Sequence, residues 1–329
     1  MKSIAVAFSF LVSALAPAVA AEPLTASEAR DAALDLAAKL EEGYLDPATG
    51  AAYATMLRSQ VGKGAYDDYS DLEAFAEKVT QDIGTVYPDG HLKLKVFKEP
   101  SDQGEEAREL PPAYEEPRWI ADGVVYSKWN VFPSEDNTIA AAKKLMEDYA
   151  GATAIIFDLR EHHGGRLDEQ DVFFSYLFGE PTHLVTMRIR QGKGEFMAEA
   201  FDAMPTMKRQ PAENGVDIWE HWAAPVKGGS PWSKAKVYLL TSKVTASAAE
   251  HFTLALKTTG RATLIGERTR GAGNFGGGER IGERFYAFIA VGQTVDPKTG
   301  KGWDVVGIEP DIAVPADEAL DRALAEIGK

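Results

Sequence analysis

Residues 236–260 read KVYLLTSKVTASAAEHFTLALKTTG, and they combine an apolar strand, a short polar turn and a helix. The run KVYLLTS is typical of a strand that is buried on both faces of a parallel sheet. After the turn, Ala249, Phe252 and Leu256 recur at helical spacing, and Gly260 ends the helix. A buried strand that continues directly into a helix predicts an α/β fold.

The same alternation of buried strands and helices extends over residues 118–329. It is carried by the apolar runs GVVYSKWNVF (123–132), ATAIIFDL (152–159), ATLIG (262–266) and RFYAFIAV (284–291), and by helical patterns at 137–149, 168–178 and 320–327. This order predicts a largely parallel sheet covered by helices. Residues 183–232 mix charges with Gly, Pro and Trp, and we interpret them as a lid or an insertion.

The N-terminal region has a different pattern. Thr25 and Glu28 form a capping box before a helix that runs to Gly43. Helical spacing recurs at Ala51–Leu57 and Leu72–Ile83, and the segment VYPDGHLKLKVF that follows predicts a turn and a short strand. The following stretch, KEPSDQGEEARELPPAYEEP, is rich in Glu and Pro, which is typical of a solvated connector. We therefore expect a small helical domain at 22–97, a connector at 98–117 and an α/β domain at 118–329.

The first twenty residues, MKSIAVAFSFLVSALAPAVA, have the pattern of a secretory signal. Lys2 precedes a short apolar run, and the small residues at the end predict cleavage after Ala20. An N-terminal membrane anchor is the alternative, but the apolar run is short for a span and the Ala-x-Ala end favours cleavage. We expect an exported, periplasmic protein without stable membrane insertion.

Composition excludes several classes of function. The chain has 329 residues and no cysteine, so it holds no disulfide, thiol nucleophile, Cys-ligated zinc or iron–sulfur cluster. Its 50 acidic and 35 basic residues give a formal charge of −15, which argues against nucleic acid as a partner. Neither HExxH nor another metal-ligand spacing occurs, and we expect no metal and no cofactor.

Two loops follow apolar strands and carry candidate catalytic groups. Ser247 begins a helix, where unpaired amides and the helix dipole favour a developing negative charge, so it is a candidate nucleophile. The alternative is that Ser247 only caps the helix. Gly164 and Gly165 allow a close approach of backbone amides to an oxyanion, or they simply turn a strand into a helix.

A serine nucleophile needs a base, and the chain has six histidines. His251 lies four residues after Ser247 on the same helix, which leaves its ring along the helix surface. His91 follows the tight turn Pro88-Asp89-Gly90, which can hold an imidazole rigidly at a domain edge. Taken alone, the position of each histidine is more typical of an ordinary surface or interface residue than of a base.

Several segments together resemble a known family. TSKVTASAAEHFTLALKTTGRATLIGERTRGAG, with IIFDLREHHGG before it and GWDVVGIEPDIAV after it, resembles the tail-specific (C-terminal processing) serine peptidase family. The helical region with YPDGHLKL is similar to the branch that includes interphotoreceptor retinoid-binding protein and tricorn protease. The resemblance implies a ClpP/crotonase-like α/β spiral behind a small helical domain, and an enzyme that cleaves peptide or protein substrates.

The resemblance also implies roles for individual residues. Ser247 matches the nucleophile in T-x-S-A-A-E, and His91 matches the general base. Asp304 matches a Glu that orients the histidine in tricorn-like members. The amides of Gly164 or Gly165 and of Ala248 would then form the oxyanion hole.

Three departures from the family pattern bear on the mechanism. Ala272 stands where bacterial C-terminal processing enzymes carry a lysine base, so a Ser/Lys dyad is excluded at that position. Gly90 replaces a serine of tricorn-like sites, and Asp304 is one methylene shorter than Glu. The connector at 98–117 is too short to hold a PDZ domain.

A non-catalytic protein that binds a hydrophobic or peptide ligand is the alternative function, since one scaffold can serve several functions. The imperfect triad motivates it, as do Trp219, Trp222 and Trp232, which could line a pocket or pack in the core.

Overall fold

The computed structural model describes residues 22–97 and 111–328. The helices are α1 (Ala26–Gly43), α2 (Pro47–Gly62), α3 (Leu72–Val86), α4 (Asp136–Asp148), α5 (Asp168–Leu177), α6 (Glu195–Ala203), α7 (Ala248–Thr258) and α8 (Ala319–Ile327). The strands are β1 (Leu94–Val96), β2 (Arg118–Ala121), β3 (Val124–Lys128), β4 (Ala154–Asp158), β5 (Thr182–Arg190), β6 (Met207–Glu213), β7 (Val216–Ala223), β8 (Lys236–Thr241), β9 (Thr263–Gly266), β10 (Asn274–Ile281), β11 (Phe285–Val295) and β12 (Ile312–Ala313).

One sheet is largely parallel, as its sequence predicts. Its six strands follow the order β12-β9-β8-β4-β3-β2, and only β2 runs antiparallel to its neighbour. Ile155 and Phe157 of β4 face the main core with α5 and α7, whereas Ile156 faces a second cluster that includes α8. Burial on both faces explains why β4 and β8 are continuous apolar runs.

The other sheet is antiparallel and corrects the expectation for residues 183–232. Its strands follow the order β1-β11-β5-β7-β6, and β10 pairs with β11. A lid or insertion was expected there, but β5, β6 and β7 are regular strands that continue this sheet, with α6 between them. Side chains along β5 and β7 alternate between buried and half-buried, which is the period of a strand with one covered face.

The helical region rests on the antiparallel sheet. The Thr25 hydroxyl accepts the Glu28 amide and the Glu28 carboxylate accepts the Thr25 amide, so the predicted capping box starts α1. Helices α1 to α3 share one apolar cluster with β1 and β11, including Phe75, Phe285 and Ile289. The helices therefore do not have a core separate from the second sheet.

The predicted class, α/β with an N-terminal helical region, is confirmed. The predicted signal at 1–20 and most of the connector, 98–110, lie outside the described residues, and the division into domains stays a prediction. In the part of the chain that is described, no helix combines the length and apolarity needed to span a bilayer.

Candidate active site

The loops after β4 and β8 meet at the carboxyl edge of the parallel sheet, where open α/β sheets bind ligands. The Ala246 amide donates to the His162 carbonyl oxygen at 3.0 Å, and the Thr245 hydroxyl donates to the Leu159 carbonyl oxygen at 2.8 Å. A cavity of about 280 Å³ opens beside this junction. Both Ser247 and His91 line it, so the structure brings the predicted nucleophile and base to one site.

Ser247 has a strained backbone. Its φ of 55° and ψ of −118° differ from the extended conformation of Thr25, Asp46 and Asp71, which cap α1, α2 and α3. A non-glycine residue in a sparsely populated conformation is typical of functional sites, and sharp strand-to-helix turns expose the nucleophilic serines of α/β-hydrolases. The geometry favours the nucleophile interpretation over a simple helix cap.

Glu250 holds this turn in place, and the sequence analysis did not single it out. Its side chain is fully buried. One carboxylate oxygen accepts the amides of Ser247 and Ala272 at 2.9 and 2.8 Å, and the other accepts the Thr269 hydroxyl and the Gly271 amide at 2.6 and 2.7 Å. Burial raises the pKa of Glu250, while these four donors oppose that shift. Two sequence signals pointed to Glu250: it lies three positions after a serine at a helix start, and it is the last residue of the segment T-x-S-A-A-E.

The two glycines after β4 adopt backbone conformations that other residues rarely take. The φ angles are +113° at Gly164 and +125° at Gly165. A Cβ at Gly164 would lie 2.8 Å from the Ser247 Cβ, and a Cβ at Gly165 would lie 2.1 Å from the Phe132 carbonyl oxygen. Only glycine therefore allows this loop to approach Ser247 so closely.

The predicted oxyanion donors are not equivalent. The Gly164 amide donates to Nδ1 of His162 at 3.0 Å and is already occupied. Among the described residues, the amides of Gly165 and Ala248 have no protein acceptor, and both residues line the cavity. The free pair of amides is therefore Gly165 and Ala248.

The buried side chain of His162 holds the glycine loop through a hydrogen bond from the Gly164 amide. It is fully buried against Phe132, with ring centroids 4.2 Å apart. Burial, with a smaller contribution from His163, lowers the pKa of His162 to about 3, so the ring stays neutral and can accept the Gly164 amide. This makes His162 a structural residue and excludes it as a base for Ser247.

His91 is held by its own turn and by the antiparallel sheet. Its ring stacks on Phe288 of β11, with centroids 4.8 Å apart. The Asp89 carboxylate accepts the amides of His91 and Leu92 at 2.7 and 2.9 Å. A Cβ at Gly90 would lie 2.4 Å from the Gly271 carbonyl oxygen, so glycine brings this turn against the loop after β9. Burial lowers the pKa of His91, which favours the neutral base near pH 7.

Asp304 lies beside this turn and is joined to it through Asn274. Its carboxylate accepts the Gly273 amide at 3.0 Å and the Asn274 side-chain amide at 2.9 Å, and the same Asn274 nitrogen donates to Asp89 at 3.1 Å. Burial and the nearby Asp89 carboxylate raise the pKa of Asp304 to about 6. In the part of the chain that is described, no hydrogen bond joins the His91 ring to Asp304 or to Ser247, and Nδ1 of His91 is buried without a partner.

The structure also places Ala272, the three candidate tryptophans and the potential metal ligands relative to the cavity. Ala272 lines the cavity, and the lining residues, all within the described ranges, include no lysine. Trp219 and Trp232 are fully buried in the core, and Trp222 stacks on His183, so none of the three lines the cavity. No group of three or more potential metal ligands occurs within residues 22–97 and 111–328.

Comparison with known proteins identifies the family and the fold. The family described as "Peptidase family S41" matches residues 124–314, which is more than half of the chain. A putative peptidase from Parabacteroides merdae is similar over 91% of this chain and 96% of its own, with 16% identity and a TM-score of 0.64.

Two further solved structures share the fold. The photosystem II D1 C-terminal processing protease is similar over 90% of this chain and 97% of its own, with 14% identity and a TM-score of 0.54. A lipoprotein from Streptococcus agalactiae is similar over 97% of this chain and 99% of its own, with 11% identity and a TM-score of 0.57. The family resemblance predicted from sequence is confirmed, and the chain belongs to peptidase family S41, a serine-type peptidase by class.

Proposed function

We propose that the protein cleaves peptide bonds through an acyl-enzyme, with Ser247 as nucleophile and His91 as general base. The observation that carries the proposal is that both residues line one cavity, where the strained Ser247 lies beside the two free amides of Gly165 and Ala248. A nucleophile, a base and oxyanion donors around one space are the requirements of acyl transfer.

The proton balance follows from the serine peptidase scheme. Neutral His91 takes the proton of the Ser247 hydroxyl as its oxygen attacks the scissile carbonyl carbon, and the amides of Gly165 and Ala248 bind the resulting oxyanion. His91 then returns the proton to the leaving amine as the peptide bond breaks. Water then enters and loses a proton to His91 as its oxygen attacks the ester carbonyl carbon. His91 gives that proton to the Ser247 oxygen as the ester bond breaks, which restores Ser247 and neutral His91. In catalytic sites without substrate, the hydrogen bonds between catalytic groups are commonly long and tighten only when substrate binds. The lack of a hydrogen bond between His91 and Ser247 in the free enzyme is therefore compatible with this role.

Asp304 acts in this proposal as a positioning residue. Its carboxylate holds Asn274, which donates to Asp89, and Asp89 in turn holds the amide of His91. The Asp89 carboxylate also places negative charge near the imidazolium that forms during the reaction. Asp304 therefore supports His91 through the turn, without a direct contact to its ring in the free enzyme.

A Ser/Lys dyad is not part of the proposal. Ala272 offers no base, and no lysine is among the described residues that line the cavity. The substrate is a peptide or protein, and we propose that the enzyme acts after export to the periplasm, because the first twenty residues have the pattern of a cleaved signal.

A fluorophosphonate probe tests the assignment directly. We expect the probe to label Ser247, Ser247→Ala to abolish labelling, and His91→Ala to slow it by at least about a hundredfold, as expected for loss of a general base. Ser59→Ala, at an exposed position on α2, and His183→Ala, outside the cavity, are the matched controls and should label normally.

A folded protein that never labels would contradict the proposal. Retention of an apolar or peptide ligand by that unlabelled protein would favour the binding-protein alternative.

A further inference from the structure

A chain of three polar side chains, a half-buried aspartate and two buried histidines, ends at the cavity, and the proposed mechanism does not use it. Asp171 of α5 contacts Nε2 of His221 of β7 at 2.6 Å. Nδ1 of His221 lies 2.9 Å from Nε2 of His251 of α7. The Thr206 hydroxyl donates to the second oxygen of Asp171 at 2.6 Å, which holds the carboxylate in place.

His251 brings this chain to the nucleophile. Its amide donates to the Ser247 carbonyl oxygen at 2.9 Å, so it lies one helical turn after Ser247, and it lines the same cavity. Both His221 and His251 are buried, with 0% and 3% of their surfaces exposed. Hydrogen bonds that run from the Asp171 carboxylate through His221 to His251 determine which ring nitrogen of His251 carries a proton.

The proton positions follow from the acceptor at the far end. An ionised Asp171 can only accept, so His221 must donate from Nε2. When His221 carries a single proton, at Nε2, its Nδ1 accepts, and His251 donates to it from Nε2. Nδ1 of His251 is left without a proton, and it makes no hydrogen bond to any of the described residues. Burial holds the pKa of His251 well below its usual value, which keeps this ring neutral.

The surroundings of His251 in the cavity are mainly apolar. Met187, Phe201, Met204 and Phe275 line the same space. An acceptor flanked by apolar side chains discriminates between side chains that can donate a hydrogen bond and side chains of the same shape that cannot, because an unpaired buried polar group is costly.

We propose that the Asp171–His221–His251 chain is a specificity device: it presents the Nδ1 lone pair of His251 to the substrate side chain in the cavity, and it selects side chains with a hydroxyl or amide hydrogen. This inference rests on the proposed function, since it takes the cavity beside Ser247 as the place where the residue next to the scissile bond binds. His251 contacts the substrate, whereas His221 and Asp171 are positioning residues that act through it.

The tautomer of His251 is the first test, and it needs no turnover. With only six histidines in the chain, ¹⁵N-histidine labelling and long-range ¹H–¹⁵N spectra identify which ring nitrogen is protonated. At about pH 8, well above the usual histidine pKa of about 6.5, we expect His251 to be protonated at Nε2 alone. Both His221→Phe and Asp171→Asn should produce a mixture of the two tautomers. A wild-type His251 protonated at Nδ1 would overturn the inference.

Substrate selectivity is the second test. Two peptides that differ only by Thr or Val at the residue before the scissile bond have nearly the same shape, but only Thr can donate. We expect kcat/KM to favour Thr by about 2- to 10-fold, the worth of one hydrogen bond, and His251→Phe and His221→Phe to bring the ratio close to one. His183→Phe, which removes a histidine of the adjacent strand β5 outside the cavity, should keep the wild-type ratio.

The two hypotheses fail in different ways. Equal cleavage of the Thr and Val peptides by the wild type contradicts the inference and leaves the peptidase mechanism intact. If neither peptide is cleaved, the proposed mechanism fails, and the affinities of the two peptides for the protein then decide the inference together with the tautomer. Equal affinities would overturn it, and tighter binding of the Thr peptide would support it.

Discussion

Replacement of Glu250 by Gln tests the view that one buried carboxylate fixes the active-site turn. The substitution keeps the size of the side chain but exchanges one acceptor oxygen for an NH₂ donor. In the native protein the two oxygens accept four donors, the amides of Ser247, Gly271 and Ala272 and the hydroxyl of Thr269. A neutral amide cannot satisfy all four.

The expected cost follows from the better of the two orientations of the introduced side-chain amide. If its nitrogen faces Thr269 and Gly271, the Thr269 hydroxyl can rotate to accept, and only the Gly271 amide is left unpaired, at a cost of about 1–3 kcal/mol. The bonds from Ser247 and Ala272 lose their charge assistance, about 1 kcal/mol each. Relief of the cost of burying a charge, which raises the pKa of Glu250, offsets part of this loss. We expect a net destabilisation of about 2–3 kcal/mol.

Equilibrium unfolding in urea measures this change as a shift of the midpoint at constant slope. Glu42→Gln is the matched control, because that carboxylate is 77% exposed and forms a surface ion pair with Lys193, so the unfolding midpoint of this variant should not change. A free energy of unfolding for Glu250→Gln within about 0.5 kcal/mol of wild type, the size of an ordinary surface substitution, would refute the reasoning.

Three further outcomes follow from the site. The pKa of Asp304 is raised to about 6, so this carboxyl gains its charge as pH rises through that value, and a rise in pH also favours the neutral form of His91. We therefore expect kcat/KM to rise as pH increases through about 6 and then level. Asp304→Asn should weaken this dependence by removing the part that Asp304 contributes, and a profile that falls over that interval would contradict the assignment. Gly164→Ala places a methyl group 2.8 Å from the Ser247 Cβ and should slow fluorophosphonate labelling about a hundredfold while circular dichroism shows a folded protein. Phe288→Ala removes the ring on which His91 stacks and should lower kcat by about tenfold with little change in KM, whereas a change in KM alone would assign Phe288 to substrate binding.

Local signals predicted much of the fold. The Thr25–Glu28 capping box, the apolar runs of β4 and β8 and the helical spacing of α7 each depend on neighbouring residues, and each is present in the structure. Strand β7 was missed although its sequence, VDIWEHWA, alternates, because its two tryptophans and its charges were interpreted as the composition of an insertion. The period of two was the stronger physical signal, since it reports which face is covered.

The site was less predictable, because its contacts join distant parts of the chain. Asn274 and Asp89, whose side chains are hydrogen-bonded, are 185 residues apart, and His221 and Asp171 are 50 apart. The spacing of neighbouring residues in the sequence predicts neither contact. The position of Ser247 before a helix was visible, but its positive φ depends on the buried Glu250, which only the folded chain shows.

The shared core between the helices and β11 determines how small an active fragment can be. A chain that started at residue 118 would retain Ser247 and the segment that matches the family, but it would lack His91 and would uncover apolar residues of β11 such as Phe285 and Ile289. Such a truncated chain should aggregate through that bare surface. Adding residues 22–97 as a separate polypeptide should then restore both solubility and reactivity. Its non-covalent association with the truncated chain would cover the apolar face of β11 and would also supply the His91 imidazole.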